Sequence, residues 1–238
     1  MNIALIGYGR MGHEIEEIAK KRGHVIKLII DIDNRSDLKP ENLKGIDAAI
    51  EFSNPEAAFA NVAACLESGI PVVCGTTGWL KDYDKAAELC RKKDAAFIHS
   101  SNFSIGVNIL FRLNSELAAR LKNYPEYKVS IEEIHHTKKL DAPSGTAIAL
   151  AEGISKQHDG YKGWSLDPEP ADDKIPIRAI REGMVPGTHT ITWDSEIDTL
   201  SIRHEARNRK GLALGAVVAA EFIHNRKGVF TMRDVLGF

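Results

Sequence analysis

The stretch Ile3-Ala4-Leu5-Ile6-Gly7-Tyr8-Gly9-Arg10-Met11-Gly12 decides the fold. Four apolar residues in a row read as a buried strand, and Gly7-x-Gly9-x-x-Gly12 follows at once. In such a turn the first glycine allows the tight bend and the second lets backbone N–H groups approach a pyrophosphate. The third lets the next helix pack close to the strand. From Arg10 onward, Met11, Ile15, Ile18 and Ala19 share one helical face. The free N–H groups at the start of that helix would meet phosphate charge. Val25–Ile30 reads as the next strand, and Asp31 comes nineteen positions after Gly12. A carboxylate there can accept from the adenosine ribose hydroxyls of a dinucleotide, with Asp33 as a rival two residues on. The competing reading is a glycine-rich turn with a capping aspartate and no ligand.

Outward from this motif the pattern repeats. Residues 48–52 form an apolar strand, and Pro55 opens a helix over 55–66, a first-turn position that suits proline. A strand at 70–73, a helix at 82–92 and a strand at 95–98 follow. Strand–helix alternation with wholly apolar strands implies a parallel sheet covered on both faces, a Rossmann-like N-terminal domain. The pattern changes after Ser104. A helix over 107–121 precedes a period-two run at 127–134, with Tyr127, Val129, Ile131 and Glu133 on one side. A helix begins after Pro143-Ser144, and a Pro- and Asp-rich connection occupies 167–173 within a linker-like stretch at 159–173. Alternating runs at 175–181, 188–193 and 199–204 then lead to an apolar helix at 212–222. Strands in succession with one inserted helix predict an α+β domain with a mixed or open sheet, one face on helices.

The 238 residues suffice for two modest domains. The composition is 43% hydrophobic and 27% charged with net charge −2, so no basic field invites nucleic acid or a membrane surface. Cys65, Cys74 and Cys90 sit in no metal-binding spacing and cannot all pair, which predicts buried thiols in a reducing, cytoplasmic setting.

The chemistry concentrates in Glu133-Ile-His135-His136-Thr-Lys138-Lys139-Leu-Asp141-Ala-Pro-Ser144-Gly145-Thr146. Histidine gives or takes a proton near neutral pH, and lysine holds a carboxylate or shuttles a proton when desolvated. The N–H groups of the helix starting at Pro143-Ser144, the Ser144 and Thr146 hydroxyls and Lys139 would form an anion cradle. A dianion carboxylated beside its reacting carbon suits that arrangement. The competing reading is a solvated loop and a helix-start turn with Ser144 as N-cap. Adjacent histidines point apart on an extended backbone, so no metal site is expected from His135 and His136.

This segment resembles the signature of the dihydrodipicolinate reductase family. Gly9-Arg10-Met11-Gly12, Glu51-Phe52-Ser53-x-Pro55, Gly75-Thr76-Thr77-Gly78 and Asn102-Phe103-Ser104-x-Gly106-Val-Asn108 match in order. So do Gly187-x-His189-Thr190, Gly215-Ala216-Val217 and Arg233-Asp-Val-Leu. The resemblance implies reduction of 4-hydroxy-tetrahydrodipicolinate, or the dihydrodipicolinate formed from it, with NADH or NADPH, in the diaminopimelate route to lysine. It implies His135 and Lys139 as catalytic proton handlers, and His136, Ser144, Gly145 and Thr146 as holders of a small dicarboxylate substrate. It implies Gly7, Tyr8, Gly9, Arg10, Met11, Gly12 and Asp31 at the cofactor's adenosine end. Gly75, Thr76, Thr77, Ser100, Ser101, Asn102 and Phe103 would line its nicotinamide end. It further implies a dinucleotide-binding domain over 1–104 and 212–238, a substrate-binding and oligomerisation domain over 105–211, and a homotetramer. The glycine turn is one residue shorter than the fuller family form, and Ile32 stands where some members carry an arginine. Two other classes remain in view: a two-domain Rossmann dehydrogenase acting on an amino acid or sugar, and a non-catalytic NAD-binding sensor.

Overall fold

The computed structural model describes residues 1–167 and 172–238, so part of the connection expected over 167–173 lies outside the described residues. The chain divides into two compact units, one of residues 1–105 with 209–238 and the other of residues 106–208.

The first unit opens with β1 (Asn2–Ile6), α1 (Arg10–Lys21) and β2 (Val25–Ile30). It continues through β3 (Ala48–Glu51), α2 (Pro55–Glu67), β4 (Val72–Cys74), α3 (Tyr83–Lys92) and β5 (Ala96–His99). Asn54 caps α2 by accepting from the Ala57 N–H at 3.0 Å, with Pro55 just inside the helix where its missing donor costs nothing. After α4 (Ile105–Leu121) the second unit holds β6 (Lys128–His135), α5 (Gly145–Ser155) and β7 (Trp164–Leu166). It ends with β8 (Ile175–Arg181), β9 (Thr188–Asp194) and β10 (Thr199–Glu205). The chain then re-enters the first unit as α6 (Lys210–Ile223), β11 (Gly228–Phe230) and α7 (Met232–Leu236).

Six strands of the first unit form a parallel sheet in the order β11-β5-β4-β3-β1-β2. Helices cover both faces, as wholly apolar strands require. Ile15 and Ala19 of α1 pack with Ala213, Ala216, Val217 and Ala220 of α6 on one side. Ala58, Val62 and Cys65 of α2 pack with Ala86 and Cys90 of α3 on the other. All three cysteines are buried and free, and burial pushes the Cys65 thiol up to about 12, so they serve as small apolar side chains.

The second unit has a mixed five-stranded sheet, β10-β9-β6-β8-β7, in which β6 runs antiparallel to β9 and parallel to β8. One face packs on α4 and α5 through Val129, Ile131, Ile177, Ile191 and Trp193 against Leu110, Ala118, Leu150 and Ile154. The alternate positions Ser130, Arg178, Thr190, Thr192, Ser201 and Arg203 stay half-buried or exposed on the opposite face. The period-two pattern of β6 therefore reads as expected, with Val129, Ile131 and Glu133 inward.

Three short elements, β7, β11 and α7, are additions to the sequence-based expectation. Each strand has only three residues, too few for any periodicity to register. The apolar helix expected over 212–222 begins two residues earlier, at Lys210.

Candidate active site

In the first unit, Gly7 takes φ +90°, and a Cβ there would stand 2.1 Å from the Phe52 carbonyl oxygen. Only glycine lets the turn pass so close to the next strand's end. A Cβ at Gly9 would meet nothing within 4 Å, so the backbone of this turn is open to approach. Gly9 is also the N-cap of α1 and offers no side-chain cap, which leaves the first N–H groups of the helix to an incoming anion. Beside it lies a cleft of ≈ 280 Å³ lined by Gly7, Tyr8 and Gly9 on one side and Asp31, Ile32 and Arg35 on another. Phe52, Ser53, Asn54, Ala57 and Asn61, with Ile6 and Ile30, also line it. A long, phosphorylated ligand fits these surroundings: a bare helix end, a close glycine backbone and a carboxylate at the second strand's tip. Asp31, and not Asp33, belongs to the lining.

The other residues expected at the cofactor are largely committed to shaping the strand ends. Thr76 is buried, with its hydroxyl accepting from the Ser53 N–H at 2.8 Å and its carbonyl accepting from Trp79 Nε1 at 2.8 Å. Gly75 leaves room for the Phe52 ring, which a Cβ would approach to 2.1 Å. Ser100 donates to the Asn102 carbonyl at 2.8 Å, and Asn102 Oδ1 accepts from the Ser104 N–H at 2.9 Å. Phe103 is buried against α6, where a Cβ on Gly215 would lie 1.7 Å from the Phe103 carbonyl oxygen. Arg10, Thr77 and Ser101 are exposed, and Tyr8 and Met11 are half-buried.

In the second unit the sheet register assembles the site. On β6, Glu133 and His135 are two residues apart and so share a face. Glu133 stands opposite His189 on β9, and His135 opposite Arg181 on β8. Glu133 is fully buried and its carboxylate pairs with His135 Nδ1. Its other oxygen accepts from Arg181 Nη2 at 2.9 Å and from the Ser144 N–H at 3.1 Å. Burial alone would raise this carboxyl, but the hydrogen bonds from His135 and Arg181 outweigh it and hold Glu133 at about 2. The Ser144 hydroxyl caps α5 by accepting from the Ala147 N–H at 3.2 Å and lies 3.2 Å from His189 Nε2. His189 is buried with its ring 5.2 Å from that of His135; desolvation, then the charge of His135, pushes it down to about 4.

The 136–144 loop is tied at both ends. The Thr137 N–H donates to the Gly183 carbonyl at 3.2 Å, and Arg181 Nη2 donates to the Asp141 carbonyl at 2.6 Å. Lys139 donates its N–H to the His136 carbonyl at 3.0 Å, and its ammonium lies 2.8 Å from the Asp141 carboxylate. His136 is half-buried, Gly145 is exposed and Thr146 half-buried, these last two being the first residues of α5. The Ser144–Glu133 bond thus joins the start of the expected anion cradle to the end of the histidine strand. Among the described residues Glu133, His135 and His189 could each offer a metal one atom, all within 4.8 Å of one another. The Glu133 oxygens already carry a guanidinium, an imidazole and an amide, so the cluster has the make-up of a charge-paired proton network.

Glu133, Arg181, Gly187 and His189 were given no role from the sequence. Glu133 carried a signal, since period two puts it on the face of His135. Arg181 and His189 come from strands whose pairing no local pattern states. In the cleft, Phe52, Asn54, Ala57 and Asn61 were missed for the same reason.

Comparison with known proteins identifies the family of both units. Residues 1–103 match the family described as dihydrodipicolinate reductase, N-terminus, and residues 106–236 match dihydrodipicolinate reductase, C-terminus. The chain is 58% identical over 238 residues to a 4-hydroxy-tetrahydrodipicolinate reductase of Christiangramia forsetii, covering 99% of this chain and 98% of that protein. It is 34% identical to the protein of the same name from Thermosipho africanus, over 99% of this chain and 98% of that one. The fold is similar to that of a dipicolinate-bound dihydrodipicolinate reductase from Paenisporosarcina sp. TG-14, with TM-score 0.81, 23% identity and 97% of each chain covered. Two family models that together span nearly the whole chain, and relatives that match it end to end, establish that it belongs to the dihydrodipicolinate reductase family, oxidoreductases of lysine and diaminopimelate biosynthesis that work with a pyridine nucleotide.

Proposed function

We propose that the chain reduces 4-hydroxy-tetrahydrodipicolinate, or the dihydrodipicolinate formed from it, to tetrahydrodipicolinate, with His135 and Lys139 handling protons. The observation that carries this reading is the Ser144–Glu133 hydrogen bond at 3.1 Å, which fixes the α5 N-terminus beside the Glu133–His135 pair. An anion-holding helix end and a proton-handling imidazole are what a dicarboxylate gaining hydride and proton needs.

When bound, the nicotinamide supplies the hydride. His135 delivers the accompanying proton from its ring nitrogen, and Lys139, now on Asp141, exchanges that partner for a substrate carboxylate or, for the hydroxylated substrate, protonates the hydroxyl that leaves as water. His136, Gly145 and Thr146 hold the carboxylates, with the backbone N–H groups of Gly145 and Thr146 as donors at the helix start. These positive groups favour negative charge that builds on the ring during transfer. Ser144 contributes as the N-cap that sets the helix end.

In the cleft of the first unit, Gly7 to Gly12 hold the pyrophosphate and Asp31 the adenosine ribose. The cofactor is NADH or NADPH: Asp31 favours free ribose hydroxyls, while Arg35 in the same lining suits a 2′-phosphate, and Ile32 brings no charge. Gly75 to Thr77 and Ser100 to Phe103 serve the nicotinamide end by shaping the strand tips. Among the described residues, the sheet face of the second unit that carries Thr190, Thr192 and Arg203 is half-buried or exposed, which supports assembly of a homotetramer through that face.

The test is NADH and NADPH oxidation with the freshly made condensation product of pyruvate and aspartate semialdehyde. Turnover that requires this substrate supports the reading. Cofactor binding without turnover would leave a sensor, and turnover only with amino acids or sugars would point to another dehydrogenase.

A further inference from the structure

We propose that Glu133 is a positioning residue for the proton relay: its carboxylate holds the Nδ1–H of His135, so that Nε2 is the atom that gives and takes the proton. This deepens the reading of His135 as proton handler and rests on it.

The argument begins with protonation states. A carboxylate flanked by a guanidinium stays ionised and can only accept hydrogen bonds. Arg181 supplies that guanidinium from β8, and the Ser144 N–H at the start of α5 supplies a further donor. Among the described residues the second oxygen has no other donor and stands at ion-pair distance from His135 Nδ1, so the ring hydrogen belongs on Nδ1, where a small turn of the imidazole aligns it with that oxygen. The hydrogen then stays on Nδ1 whether His135 is neutral or charged, which leaves Nε2 as the titrating atom. Nε2 faces Gly187, where a Cβ would stand 3.0 Å away, so the chain keeps side-chain atoms off that nitrogen.

The remaining neighbours do not compete for this role. From β9, His189 is buried and kept neutral, and its Nε2 is engaged with the Ser144 hydroxyl at 3.2 Å. From the 136–144 loop, Lys139 is paired with Asp141 and Arg181 reaches the Asp141 carbonyl. Glu133 thus faces one guanidinium, one neutral backbone amide and one imidazole.

The proton balance is closed. Hydride adds to one atom of the substrate's double bond, and the displaced electron pair forms a bond at the other atom to the proton leaving Nε2. The N–H electrons remain on Nε2 as its lone pair, water reprotonates it, and Glu133 keeps its charge throughout. The cofactor of the established chemistry is the reductant.

The test uses the full-length enzyme with saturating cofactor. Glu133→Gln lowers kcat roughly 10- to 100-fold with KM little changed, and moves the limb of the pH–rate profile that reports the relay to lower pH. Glu133→Asp restores part of the rate. In a His135→Ala background, Glu133→Gln costs nothing further. An unchanged rate and profile in Glu133→Gln, or losses that simply add in the double variant, overturn the dyad. A His135→Ala enzyme that turns over normally instead overturns the reading of His135 itself, which separates the two failures. Should Glu133→Gln not fold, nitrogen-15 spectra of histidine-labelled wild type decide, with the His135 signals identified by their loss in His135→Gln. A protonated Nδ1 with a titrating Nε2 supports the proposal, and the opposite tautomer overturns it.

Discussion

Arg181 Nη2 lies 2.9 Å from Glu133 Oε1, a guanidinium holding a carboxylate that solvent does not reach. Removing one partner of a buried pair strands the other's charge, at a cost of about 3 kcal/mol or more. Arg181→Met is expected to lower stability at pH 7 by about that amount in urea unfolding. A loss within the scatter of a surface substitution would show that Glu133 does not need this cation.

Acid should act on the same network in two windows. Glu133 is held at about 2 against an ordinary 4.5, so its contribution is present above about 4.5 and is lost as pH falls toward 2. His189 sits at about 4 against an ordinary 6.5. The unfolded chain therefore takes up a proton between 6.5 and 4 that the fold refuses, and stability falls with pH across that range. His189→Gln is expected to flatten the dependence between pH 6.5 and 4 and leave the lower window in place. Urea midpoints at intervals through both windows read this directly, and an unaltered slope in the variant would refute the assignment.

Gly187 has φ +156°, and an added Cβ would crowd His135 Nε2. Gly187→Ala is expected to cut kcat by about 100-fold, as misplacing a reacting group by an ångström does, while dinucleotide binding stays normal. Stopped-flow cofactor binding beside steady-state turnover separates the two. Equal losses in both would indicate a general folding defect.

The two halves differ in how much their sequence disclosed. Residues 3–12 carried their fold locally, because a strand, a tight turn and a helix that touch one another are also neighbours in the chain. The parallel sheet followed from apolar runs at 25–30, 48–52 and 95–98. The return of α6 to that unit was legible only through family resemblance, and the β11 strand was not foreseen, since joining Gly228 to Ala96 is a pairing 132 positions apart. In the second unit His135 and Lys139 stood out by residue type. Their supports did not, because Arg181 and His189 meet Glu133 and His135 through strand register, which no single segment encodes. Ser144 was expected to hold substrate, and the structure gives its hydroxyl to the helix cap and to His189.

At Gly7 the backbone conformation and the 2.1 Å approach to Phe52 forbid a side chain. Gly7→Ala is expected to destabilise the protein by more than about 1 kcal/mol and to abolish dinucleotide binding. Fluorescence titration with NADH and with NADPH checks the second point. Near-normal affinity for both would place the pyrophosphate elsewhere.

The most direct test of the whole account is steady-state oxidation of NADH and NADPH on the freshly generated substrate, comparing wild type with Lys139→Ala and His135→Ala. Wild type is expected to turn over with at least one cofactor, and each variant to lose about 100-fold or more in kcat while still binding the dinucleotide. Wild-type turnover in Lys139→Ala and His135→Ala would contradict it.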